Sequence, residues 1–148
     1  MVDILHKVGI ASTPDEIYAA LTTVDGLAGW WTDDTSGDPT VGGTIHFTFG
    51  PGSIHTRVVD LRPGRRVLWA VVDEPEEWVG TEILFELRPE GDYTTVLFTH
   101  RGWKEPVEFM HHCSTKWAIY LMSLKSLVET GKGTPNPNDP HISGDGAD

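Results

Sequence analysis

The chain has 148 residues, the length of a single domain, and its hydrophobic residues at 39% and charged residues at 22% are typical of a globular protein. Its 11 lysines and arginines against 22 aspartates and glutamates give a net charge of −11, which disfavours nucleic acid and anionic membrane surfaces as partners. One cysteine, Cys113, excludes an intrachain disulfide, and the sequence predicts neither a membrane-spanning segment nor a signal peptide, so a cytoplasmic location is expected.

The chain begins with a predicted strand over residues 2–11. A helix follows, because Ser12 or Thr13 can cap its first turn and the proline after them fits the first helical position. A short turn-rich segment then leads to two adjacent tryptophans, Trp30 and Trp31. Because these residues are neighbours, we expect their side chains to point in different directions, with one of them partly exposed.

The middle of the chain alternates between apolar and polar residues, which is typical of antiparallel strands. Clusters of glycine, proline, serine and aspartate separate the runs and predict the turns between them. Alternate positions carry either large apolar side chains or charged ones, so one face of the sheet is expected to be buried. The predicted strands lie near residues 44–49, 54–62, 65–73, 79–89 and 93–101.

Apolar residues recur at spacings of three and four over residues 106–130, which predicts one long C-terminal helix. Pro106 suits its first turn, and Gly131 suits its C-terminal stop. The remaining residues, 132–148, lack periodicity and are rich in glycine, proline, asparagine and aspartate, so they are expected to form a flexible tail. The single folded domain is therefore predicted to span residues 1–131.

This order of elements predicts an α+β fold. A curved, six-stranded antiparallel sheet would grip the long C-terminal helix, with short helices after the first strand. One helix covers only one face of such a sheet. A strongly curved sheet that grips one long helix often leaves a hydrophobic cavity between them, and such cavities are common ligand sites.

Six segments of the sequence together resemble a known group of proteins. They are VDGLAGWWT (24–32), VGGTIHFTFG (41–50), PGRRVLW (63–69), EWVGTEILFELRPEG (77–91), TTVLFTHRGW (94–103) and YLMSLKSLVETGKG (120–133). In their order and spacing they are similar to the START-like superfamily with the helix-grip fold, called SRPBCC, and within it to proteins related to the C-terminal domain of the activator of the ninety-kilodalton heat-shock chaperone ATPase. The resemblance covers about residues 3–131 and implies a helix-grip fold with a hydrophobic cavity; the superfamily includes lipid carriers, hormone receptors and polyketide cyclases.

The inward-facing residues predict a site for a small, largely apolar ligand, aromatic or lipid-like. Tryptophan brings a large apolar area, so core packing is the alternative explanation for each of these rings. The predicted ligand-binding residues are Trp30, Trp31, Phe47, Phe49, Trp69, Phe85, Phe98, His100, Cys113, Trp117, Tyr120 and Leu121.

His100 ends an otherwise apolar inward row and carries the main alternative, a cavity enzyme of cyclase or hydrolase type. Imidazole can act as an acid or base near neutral pH, with Tyr120 as a second group. The competing interpretation is a core histidine with both nitrogens hydrogen-bonded. Cys113 is expected to be a small buried apolar residue, although His100 across the cavity is the one base that could activate its thiol.

The histidines do not predict a metal site. Adjacent His111 and His112 lie about 100° apart on a helix and cannot both bind one ion comfortably. Matching Phe47 with Thr56 across the first hairpin would place His46 and His55 diagonally on the outer face, beside an arginine, which is a poor zinc site. No cofactor is expected, since a glycine-rich phosphate loop is also missing from the sequence.

The partner predicted by these features is a small hydrophobic molecule. A chaperone-interacting module is a further alternative, suggested by the resemblance, and a homodimer is left open.

Overall fold

The computed structural model describes residues 1–144, and residues 145–148 of the predicted tail lie outside the described residues. The described chain forms an α+β domain with three helices, seven strands and one short 3-10 turn. In chain order these elements are β1 (Val2–Ile10), α1 (Pro14–Thr22), α2 (Val24–Trp30), β2 (Asp34–Gly37), β3 (Thr44–Phe49), β4 (Gly52–Arg62), β5 (Arg66–Val71), the turn Glu76–Trp78, β6 (Glu82–Glu90), β7 (Tyr93–Trp103) and α3 (Glu108–Thr130).

The strands form one antiparallel sheet with the order β1-β7-β6-β5-β4-β3-β2. The sheet has seven strands, so the prediction of six was wrong by one. The additional strand, β2, has the sequence DTSG and pairs with β3 from Asp34↔Thr48 to Gly37↔Ile45. It has no hydrophobic alternation of its own, because its side chains are mostly exposed and its pairing depends on β3. The other strands match the predicted ranges to within three residues at either end.

Both short helices form where capping threonines begin them. The Thr13 side chain accepts a hydrogen bond from the backbone of Glu16 at the start of α1. Thr23 does the same for Gly26 at the start of α2, in the segment that the sequence predicts as a turn. Buried Leu27 and Trp30 anchor this short helix in the core, which outweighs the low helix propensity of its two glycines.

Helix α3 covers one face of the sheet and buries one stripe of side chains. It ends where Gly131 adopts a left-handed conformation, with φ of 86°, and donates its N–H to the carbonyl of Leu127. None of the helices in residues 1–144 is long and apolar enough to span a membrane. The buried stripe of α3 consists of Cys113, Trp117, Tyr120, Leu121, Ser123 and Leu124.

The register of the β3–β4 hairpin differs from the predicted one. Phe47 lies opposite Ile54, not Thr56, and His46 therefore lies directly opposite His55 instead of diagonally. The cause is a tight two-residue turn between Phe49 and Gly52, in which Gly50 has a φ of 61°. Positive φ at the first central position is what such hairpin turns favour, and it shortens the loop that the sequence predicts.

The chain after α3 lies against the domain. The N–H of Thr134 donates to the Ser123 side chain, and the N–H of Asn136 donates to the carbonyl of Trp31. Asn136 also forms an isolated parallel bridge with Thr32. We call residues 134–139 the docked tail. Their contacts differ from the expectation of a flexible segment after residue 131, because the Ser123 hydroxyl and backbone groups of Trp31 and Asp33 satisfy the tail's backbone.

Candidate functional site

Aromatic rings fill the space between the sheet and the helices. Each sheet residue of this group lies on the inner face because inward and outward side chains alternate along a strand. Its helical members come from the C-terminal end of α2 and the buried stripe of α3. We call this group the aromatic cluster, and its members are Trp30, Trp31, Phe47, Phe49, Trp69, Phe85, Phe98, Trp117 and Tyr120.

Trp31 is the centre of the aromatic cluster. Its ring centroid lies 4.2 Å from that of Phe47, 4.9 Å from that of Trp117 and 6.1 Å from that of Trp69. Trp30 and Trp31 are both buried and stack with an interplanar angle of 9°, so the prediction of divergent, partly exposed rings was wrong. Trp31 follows the last residue of α2, and the end of the helix lets both rings enter the core.

The predicted ligand-binding residues all lie in this region, and they contact one another. All of them are buried except Phe49, which is half-buried. Ring centroids separated by 4–6 Å correspond to aromatic side chains in mutual contact. Two depressions on the described surface lie away from these rings, one beside Met1 and Arg101 and one beside Arg62 and Leu97. A ligand that enters the aromatic cluster must therefore displace side chains or the docked tail.

His100 is hydrogen-bonded through both ring nitrogens. The indole N–H of Trp117 donates to Nδ1 over 3.2 Å, and Nε2 lies 2.8 Å from Oγ1 of Thr81. Because Nδ1 accepts, the proton lies on Nε2, which donates to Thr81. The Thr81 hydroxyl in turn donates to the carbonyl of Trp78 over 2.6 Å. The imidazole is thus a neutral member of a complete hydrogen-bond chain.

Burial lowers the pKa of His100 to about 3. The ring is fully buried, and no carboxylate is among its hydrogen-bond partners in the described residues. A base must have a free lone pair that reaches its substrate, and the Nδ1 lone pair of His100 is taken up by Trp117. This arrangement gives no support to His100 as an acid or base, and it matches the alternative of a satisfied core histidine.

Cys113 lies on the inner face of α3, as predicted, and is 3% exposed. Burial raises the pKa of its thiol to about 12. The nucleophilic form is the thiolate, which this pKa makes negligible near neutral pH. The described residues show no hydrogen bond between Cys113 and His100 that would activate the sulfur.

Two further tryptophans enclose His100, although the predicted ligand set omits them. The ring of Trp78 lies 4.5 Å from the imidazole, and that of Trp103 lies 4.9 Å from it. Trp78 also stacks on Trp117 at 5.9 Å. Sequence alternation could not place Trp78, because it lies in the 3-10 turn between β5 and β6 and follows neither helical nor strand periodicity.

The docked tail lies over the seam between the C-terminal end of α2 and α3, on the side of the aromatic cluster where Tyr120 and the backbone of Trp31 lie. Asp139 is 4% exposed, and its carboxylate forms an ion pair with Lys116. It also accepts a hydrogen bond from the Tyr120 hydroxyl over 3.0 Å. Asn136 binds the backbone of Trp31 from the other side of the seam. The segment is polar, so its removal would expose little apolar surface of its own.

The outer face carries a group of ionisable residues around the first hairpin. The rings of His46 and His55 lie 4.6 Å apart, and His55 Nδ1 lies 2.7 Å from an oxygen of Asp73. Glu74 lies 3.6 Å from the other nitrogen of the same ring. Within residues 1–144, no three or more His, Cys, Asp and Glu side chains are arranged to hold a metal ion.

Comparison with known proteins gives one family match. The family model described as Activator of Hsp90 ATPase homolog 1-like protein matches residues 11–129. This match spans both short helices, every strand after β1 and nearly all of α3. A search of curated proteins found no match.

Solved structures share the architecture. The Aha1 dimer from Colwellia psychrerythraea is 49% identical, covers 90% of this chain and 100% of its own, and superposes with a TM-score of 0.84. A Mesorhizobium loti protein of 15% identity covers 86% of this chain and 96% of its own, with a TM-score of 0.76. CalU16 from Micromonospora echinospora, 20% identical, covers 94% of this chain and 76% of its own, with a TM-score of 0.71. The two more distant likenesses concern the fold alone.

Proposed function

The chain belongs to the Activator of Hsp90 ATPase homolog 1-like protein family, and from that premise we propose that it acts as a binding protein for a small, flat, largely apolar molecule. Its family membership confirms the START-like resemblance read from the sequence. The ligand enters at the end of the aromatic cluster where Trp31, Phe49 and Tyr120 meet. The observation that carries this proposal is the polar closure of that end by the docked tail.

Of the contacts that cover the aromatic cluster, those of the docked tail require the least free energy to break. Most of the docked tail is exposed or half-buried, and hydrogen bonds and one ion pair hold it against the domain. Segments with solvent-exposed backbone hydrogen bonds open locally at lower free energy than the core does. Opening at the sheet would instead break backbone hydrogen bonds between strands. The seam beside Trp31 is therefore the route that requires the smallest rearrangement.

The rings of the aromatic cluster next to the docked tail suit a flat aromatic ligand. The rings of Trp30 and Trp69 are each nearly parallel to that of Trp31, with interplanar angles of 9° and 2°, so three indoles lie nearly parallel. A flat molecule that displaces or shifts one of these rings would meet parallel ring faces, on which aromatic groups stack favourably. The half-buried Phe49 lies 5.7 Å from Trp31 and 6.3 Å from Tyr120, at the rim of this stack.

The environments of His100 and Cys113 support binding rather than catalysis. The hydrogen-bond chain of His100 leaves no lone pair directed at a ligand, and burial holds its pKa at about 3. Burial likewise raises the pKa of Cys113 to about 12. Acid–base or thiolate chemistry would need these values much closer to neutral pH.

The test is binding of the neutral dye N-phenyl-1-naphthylamine, followed by its fluorescence and by quenching of tryptophan emission. We expect saturable binding to the unmodified protein. Asp139→Asn removes the charge that pairs with Lys116, so the closed state should weaken and the dye should bind roughly three- to tenfold more tightly, as expected when a binding-competent state becomes more populated.

The matched control is Asp92→Asn, which removes one negative charge from an exposed turn between β6 and β7. Its affinity for the dye should equal that of the unmodified protein. The proposal is contradicted if the dye shows no saturable binding, or if the variants at positions 139 and 92 bind it equally well.

We further propose that the protein works as a homodimer, because the 49% identical Colwellia protein is described as a dimer. Sedimentation velocity over a range of concentrations tests this proposal. A dimer species that grows with concentration supports it, and a monomer throughout contradicts it.

A further inference from the structure

The first strand of the sheet, β1, has one open edge. It pairs with β7 on one side only, and it is the terminal strand of the sheet. The N–H of Leu87 donates to the carbonyl of Arg65, so odd-numbered residues of β6 direct their backbone groups toward β5. Through the pairings of β6 with β7 and of β7 with β1, even-numbered residues of β1 direct their backbone groups toward β7, and odd-numbered residues direct theirs away from it. The backbone groups of Asp3, Leu5 and Lys7 therefore point to the open edge.

The C-terminal end of this edge is covered by side chains of α3. Lys125 of α3 donates to the carbonyl of Gly9, and the N–H of Ala11 donates to Glu129 over 2.7 Å. These two side chains also form an ion pair with each other at 3.0 Å. In the described part of the chain, the stretch left uncovered is residues 3–7, and Leu5 lies at its centre.

The side chains of the uncovered stretch are unusual for an edge. Leu5 is 69% exposed on the outer face of the sheet, in the middle of a nine-residue strand. Edge strands are normally kept apart by short length or by charge. Here the charges Asp3 and Lys7 flank Leu5 at two residues on either side, and they have opposite signs. Asp3 accepts a hydrogen bond from Gly102 through one oxygen, and its side chain is exposed.

We propose that two copies of this chain join through their β1 edges, antiparallel, about a two-fold axis at Leu5. In this register Leu5 faces Leu5 of the second copy, and Asp3 of each copy faces Lys7 of the other. The three pairs all have backbone groups that point outward, so each exchanges two hydrogen bonds. The register is self-complementary in charge as well, as a two-fold interface requires. This inference rests on the proposed homodimer and specifies its surface.

The opposite edge of the sheet fits a second copy less well. Strand β2 has four residues, Asp34–Gly37, and presents neither an exposed large apolar side chain nor a basic residue. Pairing two such strands would place polar side chains together with no complementary charge. The length, the apolar centre and the charge pattern all favour β1.

Two charge variants test the proposal. Asp3→Lys gives each copy two lysines on the edge, and Lys7→Asp gives each copy two aspartates. In either homodimer like charges would lie opposite each other, so self-association should weaken by at least about tenfold. Mixed in equal amounts, the two variants should form a heterodimer, because every facing pair then has opposite charges. Native mass spectrometry distinguishes the species by mass.

Formation of the heterodimer also shows that both variants are folded, because a misfolded variant would not associate on mixing. Leu5→Lys should weaken the dimer by a similar factor, whereas Val41→Lys, at a 60% exposed position between β2 and β3, should leave it unchanged. A dimer that persists in both charge variants overturns the β1 interface and leaves the homodimer standing. A monomeric unmodified protein overturns both. Variants that stay monomeric after mixing also overturn the proposed register.

Discussion

His100 should make the stability of the domain depend on pH in a defined window. Its pKa is about 3 in the folded protein because of burial, whereas an unfolded histidine has a pKa near 6.5. Between these two values the unfolded chain binds more protons than the folded one, so the free energy of unfolding falls as the pH is lowered. The stabilising contribution is fully present above pH 6.5 and is lost progressively toward pH 3.

The expected loss follows from the difference between the two pKa values. Between pH 7 and pH 5, a histidine that titrates near 6.5 unfolded and near 3 folded contributes a loss of about 2 kcal/mol. The reference is His100→Gln, because glutamine offers one acceptor to Trp117 and one donor to Thr81 but does not titrate. The other six histidines are common to both proteins, so their contributions cancel in the comparison.

Urea unfolding curves at pH 7, 6 and 5 measure the effect, since the midpoint and slope give the free energy of unfolding. The unmodified protein should lose about 2 kcal/mol more than the variant over this range. Equal losses in both proteins would contradict the lowered pKa of buried His100, because His100 would then titrate as an exposed histidine does.

Three other expectations follow from packing. Cys113 should resist thiol reagents at pH 8 until the chain is unfolded, and rapid labelling of the folded protein would contradict its burial. Trp31→Ala should lower the free energy of unfolding by about 3–5 kcal/mol, as deletion of a buried aromatic ring does, while Met122→Ala on the exposed side of α3 stays within about 0.5 kcal/mol. Gly26→Ala should lower the free energy of unfolding by about 1–3 kcal/mol, because its Cβ would lie 2.7 Å from the backbone of α1. Gly52→Ala should lower it much less, because the nearest atom to its Cβ would lie 3.8 Å away. Similar thermal unfolding of both glycine variants would contradict this packing.

Much of the architecture is readable from periodicity. Strands β3 to β7 alternate with period two, and α3 repeats with spacings of three and four, so their faces are determined by local sequence. Strand β2 shows no such pattern, because its pairing is determined by its neighbour. The hairpin register likewise depends on how many residues the turn at Gly50 uses, which composition alone does not specify.

The sequence likewise predicts some residues of the candidate site and not others. Alternation places Phe47, Trp69 and His100 on the inner face, as the structure does. The partners of His100 come from elsewhere, with Thr81 just before β6 and Trp117 on α3. Asp139 packs against α3 because the folded chain brings Lys116 within ion-pair distance of it. The polar, aperiodic sequence around Asp139 does not predict this contact. Contacts of single polar residues across long sequence separations are the part that patterns miss.

Ligand binding in the aromatic cluster is tested most directly by locating the site at which a flat apolar molecule binds. The indole N–H resonances of the six tryptophans can be followed by NMR during titration with N-phenyl-1-naphthylamine. We expect saturable shifts at Trp31, Trp69 and Trp117, together with faster hydrogen exchange at the N–H of Asn136 as the docked tail opens. Shifts confined to surface residues, with the indole resonances unchanged and the N–H of Asn136 still protected, would contradict ligand binding in the aromatic cluster.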